Sequence, residues 1–194
     1  MKEHFFAYLS RMRYIGRWSL MRNSLPENIQ EHSHMVAVLA HALGIIRRDV
    51  FGIPCNPEEA AAVALFHDCS EILTGDLPTP IKYHSSEIRD AYKQIEFLAC
   101  NRLLDTLPDE LKPAYRQLIT GEKQKRSFDL VKAADKLSAY IKCIEEDRAG
   151  NTEFATAKKT IEKALAELRK ELPEVDDFMN DFLSGYGKTL DELT

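Results

Sequence analysis

The sequence predicts an all-α protein that folds as a single domain. Apolar residues recur at helical spacing along almost the whole chain of 194 residues, and the alternation typical of strands is nearly absent. Prolines, glycines and capping residues divide the helical segments at short intervals. Hydrophobic residues make up 44% of the chain, which is enough for one substantial core. We therefore expect one domain over 1–194, with a helical core over about 1–150 and further helices over about 151–194.

The first two predicted helices are separated by a clear break. An amphipathic helix is predicted over about 3–14, and the segment 24–28 contains a proline and capping residues that interrupt it. A long buried helix follows, marked by apolar residues from Met35 to Ile46. His32 therefore lies near the start of that helix.

The third predicted helix has a strong start signal and a sharp end. Asn56 is suited to cap a helix and Pro57 to occupy its first position. The apolar run that follows leads directly into His67 and Asp68. Two prolines and a glycine within 75–80 predict an ordered loop soon after that pair.

The remaining segments complete the all-α prediction. The prolines at 108 and 173 and the glycine at 150 supply their boundaries. Helices are predicted over about 86–105, 109–120, 128–149, 153–171 and 174–183.

The distribution of charge disfavours a protein that binds nucleic acid polymers. The net charge is −5, whereas such proteins present a basic surface. Residues 1–25 nevertheless contain five basic side chains against Glu3 alone, an excess of four positive charges. A local basic patch can attract a small phosphate-bearing substrate. The alternative is an exposed basic face on the first helix.

The sequence predicts a cytoplasmic protein with neither a membrane span nor disulfide bonds. No apolar stretch reaches the roughly 20 residues that a span requires. The N-terminus lacks the apolar region of a signal peptide. The four cysteines, Cys55, Cys69, Cys100 and Cys143, show no Cys-x-x-Cys spacing, so neither a zinc ribbon nor a disulfide framework is expected.

The pattern that best indicates a function consists of His32, the adjacent pair His67 and Asp68, and the distant Asp135. Two imidazoles and two carboxylates can occupy four positions around a divalent cation and leave others open for water and substrate. An unpaired charge in an apolar setting is costly, and His67 and Asp68 end an apolar run. The pattern favours metal-assisted hydrolysis. The alternative is a set of ordinary capping or hydrogen-bonded residues.

Spacing alone leaves competing ligands open. His34 and His41 share a helix face, whereas His32 and His34 diverge by about 200° around a helix. Asp129 competes with Asp135, although an acidic residue near a predicted helix start has an ordinary electrostatic reason to be there.

Glu71 can add another carboxylate to this group. It lies four positions after His67, so a helix that continued through this turn would bring it to the same face. A carboxylate there can accept a proton from the attacking water or orient that water. The alternatives are an exposed helix residue and a polar C-terminal cap.

Other enzyme classes lack their main sequence signals. The chain contains no Gly-x-Ser-x-Gly, P-loop, Gly-x-Gly-x-x-Gly or His-Glu-x-x-His motif. Serine hydrolases, kinases, dinucleotide-binding proteins and zincins are therefore disfavoured.

Five motifs occur in a fixed order along the chain. They are Arg17-Trp18, Glu31-His32-Ser33, His67-Asp68-x-x-Glu71, the run Thr-Gly-Asp-Leu-Pro-Thr-Pro-Ile-Lys-Tyr over 74–83, and Lys132-x-x-Asp135. Together they resemble the HD-domain metal-dependent phosphohydrolases and, within that superfamily, the bacterial 5'-deoxynucleotidases. The His-Asp pair alone is weakly specific, whereas the run over 74–83 is highly specific. The likeness covers nearly the whole chain, with little recognisable after about residue 150.

The resemblance implies an HD-domain helical bundle with hydrolase activity. The implied substrates are 2'-deoxyribonucleoside 5'-monophosphates, which are cleaved to deoxynucleoside and phosphate by metal-activated water. One divalent cation is implied, with cobalt or manganese as activators, and so is a homodimer. The implied metal ligands are His32, His67, Asp68 and Asp135.

The resemblance also implies roles around the substrate. Arg17 and Trp18 would position the phosphate, for which arginine has suitably forked donors. Asp68 and Glu71 would handle protons, and Arg17 would stabilise the developing charge. The loop Asp76, Leu77, Pro78 and Thr79 would contact the deoxyribose, with Asp76 accepting a hydrogen bond from the 3'-hydroxyl while the loop excludes a 2'-hydroxyl.

Each of these substrate-binding residues has a plainer reading. A single tryptophan is often a core anchor, which is the alternative for Trp18. Arg17 would then be a surface arginine. Asp76 would be a turn former, because aspartate often bonds its own backbone in such turns.

Two alternative functions stay open. One is an HD hydrolase of another phosphoester, such as a nucleoside triphosphate, a cyclic nucleotide or guanosine tetraphosphate. The last is weakened because Ile72 follows Glu71, where hydrolases of that class carry an acidic pair. The other is a non-catalytic HD module that binds a nucleotide or a partner protein, against which the intact ligand set argues.

Overall fold

The computed structural model describes residues 3–82, 84–120 and 125–194, and the backbone within these ranges is mainly helical. The α-helices, in chain order, are α1 (Phe5–Leu9), α2 (Ile29–Ile45), α3 (Pro57–Phe66), α4 (Glu71–Thr74), α5 (Thr79–Lys82), α6 (Ser86–Leu104), α7 (Lys112–Thr120), α8 (Lys125–Arg148), α9 (Ala155–Glu171) and α10 (Pro173–Asp181). Shorter helical turns are Ser10–Tyr14, Ile46–Val50, Thr152–Phe154, Leu183–Gly187 and Leu190–Leu193. The all-α prediction is confirmed. Lys2 in the basic segment and Tyr83 in the fourth motif lie outside the described residues.

Capping residues begin α2 and α3 as the sequence predicts. The Asn28 side chain accepts hydrogen bonds from two backbone N–H groups of α2, and Glu31 completes a capping box. Asn56 caps α3 and Pro57 occupies its first turn. A Cβ atom on Gly44 would lie 2.9 Å from Cα of Pro57, so this glycine lets α2 pack closely against the start of α3.

Two clusters of buried residues form the core. The larger joins α2, α3 and α8 with α9 and α10, and includes Val36, Leu39, Leu43, Val63, Leu130, Leu137, Leu165 and Phe178. The smaller joins α1, α6 and α7 with the turn after α3, and includes Phe5, Cys69, Leu103, Leu104 and Ile119. Burial of this apolar surface stabilises the bundle and fixes the ends of α2, α3 and α8 relative to one another.

The helix boundaries correct the predictions at two points. Thr79 and Pro80, predicted as loop, begin the short helix α5, because the first turn of a helix tolerates a proline. The helix after Pro57 does not continue to Glu71, since α3 ends at Phe66 and α4 begins at Glu71. Between these two helices, each backbone hydrogen bond joins residues three positions apart, as in the bond from the Glu71 N–H to the Asp68 carbonyl.

The outer face of α6 carries exposed apolar residues. Phe97 is 51% exposed and Leu98 is 66% exposed, whereas Leu103 and Leu104 are buried in the smaller core cluster. Of these four residues, Leu103 and Leu104 pack within the chain and the other two face outward. Within the described ranges, no helix combines the length and the apolar character that a membrane span needs.

Candidate metal centre and substrate site

Histidines and aspartates from three parts of the fold meet at one point. His32 lies in the first turn of α2, His67 and Asp68 follow α3, and Asp135 lies within α8. His32 Nε2 is 3.1 Å from Asp135 Oδ1 and 3.5 Å from Asp68 Oδ2. His67 Nε2 is 3.1 Å from the same Asp68 oxygen. The four residues named by the resemblance therefore lie together.

The donor set fits a divalent cation. His32, His67 and Asp135 each offer one ligand atom, and these atoms lie within 4.8 Å of one another. The Nε2 atoms of both histidines are buried and make no hydrogen bond of good geometry, although carboxylate oxygens lie close to them. Buried polar atoms without partners are costly, so two of them converging beside carboxylates indicate a ligand. Imidazole nitrogens and carboxylate oxygens are common donors to divalent transition metals.

A side-chain group and a backbone group contact the Nδ1 atoms of the two imidazoles and so orient both rings. His32 Nδ1 lies 3.2 Å from Ser138 Oγ, one turn along α8 from Asp135. His67 Nδ1 lies 2.6 Å from the carbonyl oxygen of Ala64. In a continuing helix that carbonyl would accept the Asp68 N–H instead, so the imidazole contact coincides with the end of α3. Such outer contacts fix the tautomer of a metal-binding histidine.

Opposite charges shift the titration of the cluster. Burial and the charge of Arg17 lower the pKa of His32 despite its acidic neighbours. Burial lowers the pKa of His67, but Asp68 and Asp135 outweigh it and raise this pKa to about 9. Burial opposes ionisation of Asp135, yet the adjacent His32 imidazole holds the pKa of Asp135 well below the usual range. The carboxylates are therefore kept ionised, as metal ligands must be.

The competing residues lie outside the cluster. His34 and His41 on α2 and Asp129 on α8 are exposed, whereas His32 has no exposed surface. The structure thus places His32 and Asp135 at the site and the three competitors at the surface.

Glu71 lies beside the cluster at the start of α4. It is 7% exposed, and its Oε2 atom is buried without a hydrogen-bond partner. Burial, followed by the charges of Asp68 and Asp76, raises the pKa of Glu71 to about 9. A buried carboxyl group with a strongly raised pKa beside candidate metal ligands is typical of a proton-transfer residue.

Arg17 and Trp18 share one carboxylate that the sequence analysis did not single out. Arg17 Nη1 donates to Glu27 Oε2 at 2.9 Å, and Trp18 Nε1 donates to the same oxygen at 3.0 Å. The other oxygen of Glu27 is 4.0 Å from His32 Nδ1. We call residues 16–27 the Arg-Trp arm. Glu27 closes this arm immediately before α2, close to the metal centre.

Trp18 adopts a backbone conformation that side chains rarely take. Its φ is +57°, and no other residue except glycine has a positive φ in the part of the chain that the structure describes. Its ring packs on Phe154 with 5.2 Å between centroids, so it is partly anchored as well as hydrogen-bonded. Non-glycine residues persist in this region when their surroundings hold them, and such residues cluster at functional sites.

The predicted sugar loop follows Glu71 by way of Gly75, whose φ of +73° ends α4. Burial raises the pKa of Asp76, and the positive charge of Arg17 partly opposes that shift. Leu77 and Pro78 are half-buried and Thr79 is exposed at the start of α5. The contacts of Asp76, Leu77, Pro78 and Thr79 with a substrate stay a prediction.

A cavity of about 330 Å³ opens beside His67, Asp68 and Asp135. Phe97 from α6 and Phe128 from α8 contribute to its wall. The metal centre is therefore accessible to a small molecule from this side.

Comparison with known proteins identifies the family. A profile described as 5'-deoxynucleotidase YfbR-like matches residues 4–186. The chain belongs to the YfbR-like 5'-deoxynucleotidase family. A 5'-deoxynucleotidase of Erwinia tasmaniensis is 48% identical over 193 residues, which cover 99% of this chain and 96% of that protein. The family predicted from the five motifs is confirmed.

Solved structures agree with this YfbR-like assignment. An HD-domain phosphohydrolase from Listeria innocua superposes with a TM-score of 0.83 and 26% identity, covering 96% of this chain and 90% of its own. The cyanophage S-2L HD phosphohydrolase DatZ, solved with dA and one catalytic Zn²⁺ ion, superposes with a TM-score of 0.61 and 23% identity, covering 94% and 96%. The predictions of an HD-domain fold and of a phosphohydrolase are confirmed.

Sequence reasoning missed Glu27 and Ser138 in this YfbR-like site. Glu27 was assigned to the break that precedes α2, where acidic residues are common. Ser138 resembles any small residue of a buried helix face. Its position three residues after Asp135 was the available signal, since residues at that spacing share a face.

Proposed function

We propose that this YfbR-like protein is a metal-dependent 5'-deoxynucleotidase that hydrolyses 2'-deoxyribonucleoside 5'-monophosphates to deoxynucleoside and phosphate. The observation that carries the proposal is the pair of buried, unpartnered Nε2 atoms of His32 and His67, which converge with Asp68 and Asp135 near Arg17. Membership of the 5'-deoxynucleotidase family supports the choice of substrate.

His32, His67, Asp68 and Asp135 are proposed to hold one divalent cation. When bound, the cation supplies a Lewis acid for a phosphoryl oxygen and for the attacking water. Cobalt and manganese are the proposed activators, and the mixed nitrogen and oxygen donors are compatible with both. A cation here would also satisfy the two Nε2 atoms that lack hydrogen bonds.

Arg17 is proposed to bind the phosphate group. The guanidinium has five N–H donors, so its bond to Glu27 leaves donors for phosphate oxygens. Its side chain is 13% exposed, and low solvent exposure strengthens its interaction with an anion. It would stabilise the charge that develops on the phosphoryl oxygens during hydrolysis. Trp18 would line the same subsite.

Glu71, with Asp68, is proposed to manage protons. Hydrolysis forms a bond between the water oxygen and phosphorus and breaks the bond between phosphorus and the 5'-oxygen. The attacking water releases a proton, and the leaving 5'-oxygen gains one. The pKa of about 9 means that Glu71 holds a proton at neutral pH in the metal-free chain, which suits it to donate to the leaving 5'-oxygen; only its ionised form would accept the proton of the attacking water. Asp68 orients the reacting groups beside His67.

The loop from Asp76 to Thr79 is proposed to select deoxyribose. Asp76 would accept a hydrogen bond from the 3'-hydroxyl, while Leu77, Pro78 and Thr79 would leave no room for a 2'-hydroxyl. Pro78 and Pro80 restrict the backbone here, and a restricted backbone can reject an extra oxygen atom more effectively than a mobile one.

The decisive experiment measures phosphate release from 5'-dAMP, 5'-AMP, 3'-dAMP and dATP. Metal-stripped protein is supplied with manganese or cobalt, and a His67→Ala variant serves as the inactive control. We expect metal-dependent, selective turnover of 5'-dAMP. Turnover of dATP in preference to 5'-dAMP would instead indicate an HD hydrolase of another phosphoester.

One result would overturn the deoxynucleotidase proposal. If folded protein with bound metal, shown by calorimetric titration, hydrolyses none of the four nucleotides, an HD hydrolase of another phosphoester or a non-catalytic nucleotide-binding module becomes the better explanation. Calorimetry with 5'-dAMP on that protein would then measure binding directly.

We further propose that the protein is cytoplasmic and homodimeric, with no nucleic acid polymer as partner. The acidic net charge supports the exclusion of polyanions. The exposed Phe97 and Leu98 side chains on α6 support a second copy of the chain as partner. Light scattering coupled to size exclusion tests this, and Leu98→Glu should yield the monomer.

A further inference from the structure

We infer that Glu27 is a positioning residue that sets Arg17 and Trp18 in place for phosphate binding. The inference rests on the proposed function, because it assigns Glu27 to the phosphate subsite of that reaction. It concerns a side chain that the sequence motifs do not include.

A single oxygen of Glu27 receives both donors. Arg17 Nη1 and Trp18 Nε1 bond to Oε2 at 2.9 and 3.0 Å. One acceptor atom therefore fixes the guanidinium and the indole relative to each other. The indole ring also lies against the guanidinium, with 5.8 Å from Arg17 Cζ to the ring centroid. Both side chains are consequently held as one unit on one carboxylate.

The site partly excludes water from this contact. The Glu27 side chain is 16% exposed and that of Arg17 is 13% exposed. Charge-assisted hydrogen bonds are stronger in such surroundings than on an open surface. Removing the carboxylate would leave the indole N–H and a guanidinium edge without their partner, which favours other side-chain positions.

Backbone hydrogen bonds hold the Arg-Trp arm against the start of α2 independently of the Glu27 side chain. The Arg17 N–H donates to the Glu27 carbonyl at 2.9 Å, and Gly16 pairs with Asn28 in an isolated β-bridge. Ile29 N–H also donates to the Ile15 carbonyl. These bonds involve no side chain of Glu27 and persist in a variant at that position. A truncated Glu27 should therefore leave the Arg-Trp arm paired with the start of α2 and displace only the two side chains.

Glu27 acts on the phosphate subsite and not as an outer partner of the metal ligands. Its Oε1 atom is 4.0 Å from His32 Nδ1, too far for a hydrogen bond, and Ser138 already occupies that nitrogen at 3.2 Å. We therefore expect variants of Glu27 to retain metal affinity within about twofold, in contrast to the roughly 10- to 100-fold loss typical when an outer partner of a metal ligand is removed.

The test uses Glu27→Ala and Glu27→Gln in the full chain. Trp18 is the single tryptophan of the sequence, so fluorescence excited selectively at tryptophan reports on the Arg-Trp arm. Glu27→Ala should shift the emission to longer wavelength and increase quenching by acrylamide. It should lower kcat/KM for 5'-dAMP by about 10- to 100-fold, since small displacements of a positioning group have effects of this size. Glu27→Gln retains an amide oxygen that accepts both bonds and should restore most of the activity and the native emission.

Glu153→Gln is the matched control. Glu153 bonds to Arg22 of the same arm but contacts neither Arg17 nor Trp18 through that ion pair. Exposed ion pairs contribute little, so this variant should match the wild type in emission and in kcat/KM.

A double-mutant cycle distinguishes positioning from a general structural role. If Glu27 acts through Arg17, the Glu27→Ala change should have little further effect on kcat/KM in an Arg17→Ala background. Additive losses would overturn the inference. So would wild-type emission and kcat/KM in Glu27→Ala, or a Glu27→Gln variant as impaired as Glu27→Ala.

Failure of the proposed function would be recognised separately. If the wild type does not hydrolyse 5'-dAMP, the fluorescence experiment is repeated with inorganic phosphate as the ligand. Wild-type and Glu27→Gln protein should then bind phosphate with a change in Trp18 emission, and Glu27→Ala should bind it about tenfold more weakly. Equal phosphate affinity in all three proteins would overturn the inference whatever the reaction.

Discussion

Asp135 and Ser138 contact the two nitrogens of the same imidazole. They stand three positions apart on α8, where Asp135 Oδ1 is 3.1 Å from His32 Nε2 and Ser138 Oγ is 3.2 Å from His32 Nδ1. A neutral imidazole that offers Nε2 to a metal carries its proton on Nδ1, which then donates to the serine oxygen. Helix α8 thus supplies both Asp135, a candidate metal ligand, and Ser138, which fixes the tautomer of the candidate ligand His32.

Replacing Ser138 by alanine should therefore weaken metal binding. We expect affinity for manganese or cobalt to fall by about 10- to 100-fold, because the imidazole loses its outer partner. Calorimetric titration of metal-stripped protein measures this. Ser127→Ala is the control, since Ser127 is also buried on α8 but bonds to Glu59. Equal metal affinity of Ser138→Ala and wild type would show that Ser138 does not orient His32.

Replacing His67 by alanine should abolish turnover and preserve the helical fold. His67 supplies one of the two unpartnered Nε2 atoms, and its loss removes a proposed metal ligand. Circular dichroism checks the fold, and phosphate release checks activity. His34→Ala is the control, because His34 is an exposed histidine on α2 and should be dispensable. Appreciable activity of metal-loaded His67→Ala would contradict the ligand assignment, and Asp68→Ala should behave like His67→Ala.

Replacing Glu71 by glutamine should impair catalysis and stabilise the metal-free protein at alkaline pH. Burial, with Asp68 and Asp76, raises the pKa of Glu71 to about 9 in the folded chain, whereas an unfolded glutamate ionises near about 4.3. Between these values unfolding releases a proton, so stability falls as pH rises, by up to about 1.4 kcal/mol per pH unit. Glutamine cannot ionise, and the variant should lack this part of the slope.

Two measurements check the Glu71 prediction. Urea unfolding of metal-stripped wild type and Glu71→Gln over about pH 5.5–8.5 compares the slopes, and the variant should gain most at the alkaline end. Turnover of 5'-dAMP should fall by about 100- to 10,000-fold, the usual contribution of a general acid or base. Identical slopes would mean that Glu71 is ionised in the folded protein.

Local signals allowed much of the fold to be predicted. Asn28 and Asn56 cap their helices through short-range hydrogen bonds, which depend on neighbouring residues and are therefore visible in the sequence. The end of α3 at Phe66 was not predictable in this way. There the His67 imidazole contacts the Ala64 carbonyl oxygen, and the orientation of this imidazole depends on the distant α2 and α8.

The site was predictable where residue types are unusual and not where they are common. Histidines beside an aspartate in an apolar run are rare enough to single out His67 and Asp68. Glu27 and Ser138 belong to types found on every surface and in most helices. Their roles depend on contacts across 9 or 10 residues for Glu27 and 106 residues for Ser138, which sequence periodicity does not reveal.

A buried ion pair between Lys142 and Glu146 attaches the end of the Arg-Trp arm to α8. Glu146 is 1% exposed and accepts bonds from Lys142, from Asn151 and from the backbone N–H groups of Ser24 and Leu25. Burial opposes ionisation of Glu146, but these donors hold its pKa at about 2. Its ionised form thus attaches the end of the arm to the same helix that carries Asp135.

Replacing Glu146 by glutamine should destabilise the fold strongly at neutral pH. Lys142 would keep its charge in a buried position without a carboxylate, a change that typically costs about 3–5 kcal/mol. In the wild type the folded pKa of about 2 lies below the unfolded value. The stabilisation is therefore complete above about pH 4.5 and is lost as pH falls toward 2, a dependence that the variant should largely lack.

Denaturant unfolding between about pH 2 and 7 measures this difference. Asp147→Asn serves as control, because Asp147 forms an exposed ion pair with Lys158 and such pairs contribute about 0–1 kcal/mol. Trp18 emission should also change in Glu146→Gln and not in the control, since the segment that Glu146 holds is continuous with Trp18. If Glu146→Gln unfolds like the control at neutral pH and keeps wild-type emission, the buried pair does not hold the arm, and the backbone bonds between the arm and the start of α2 suffice.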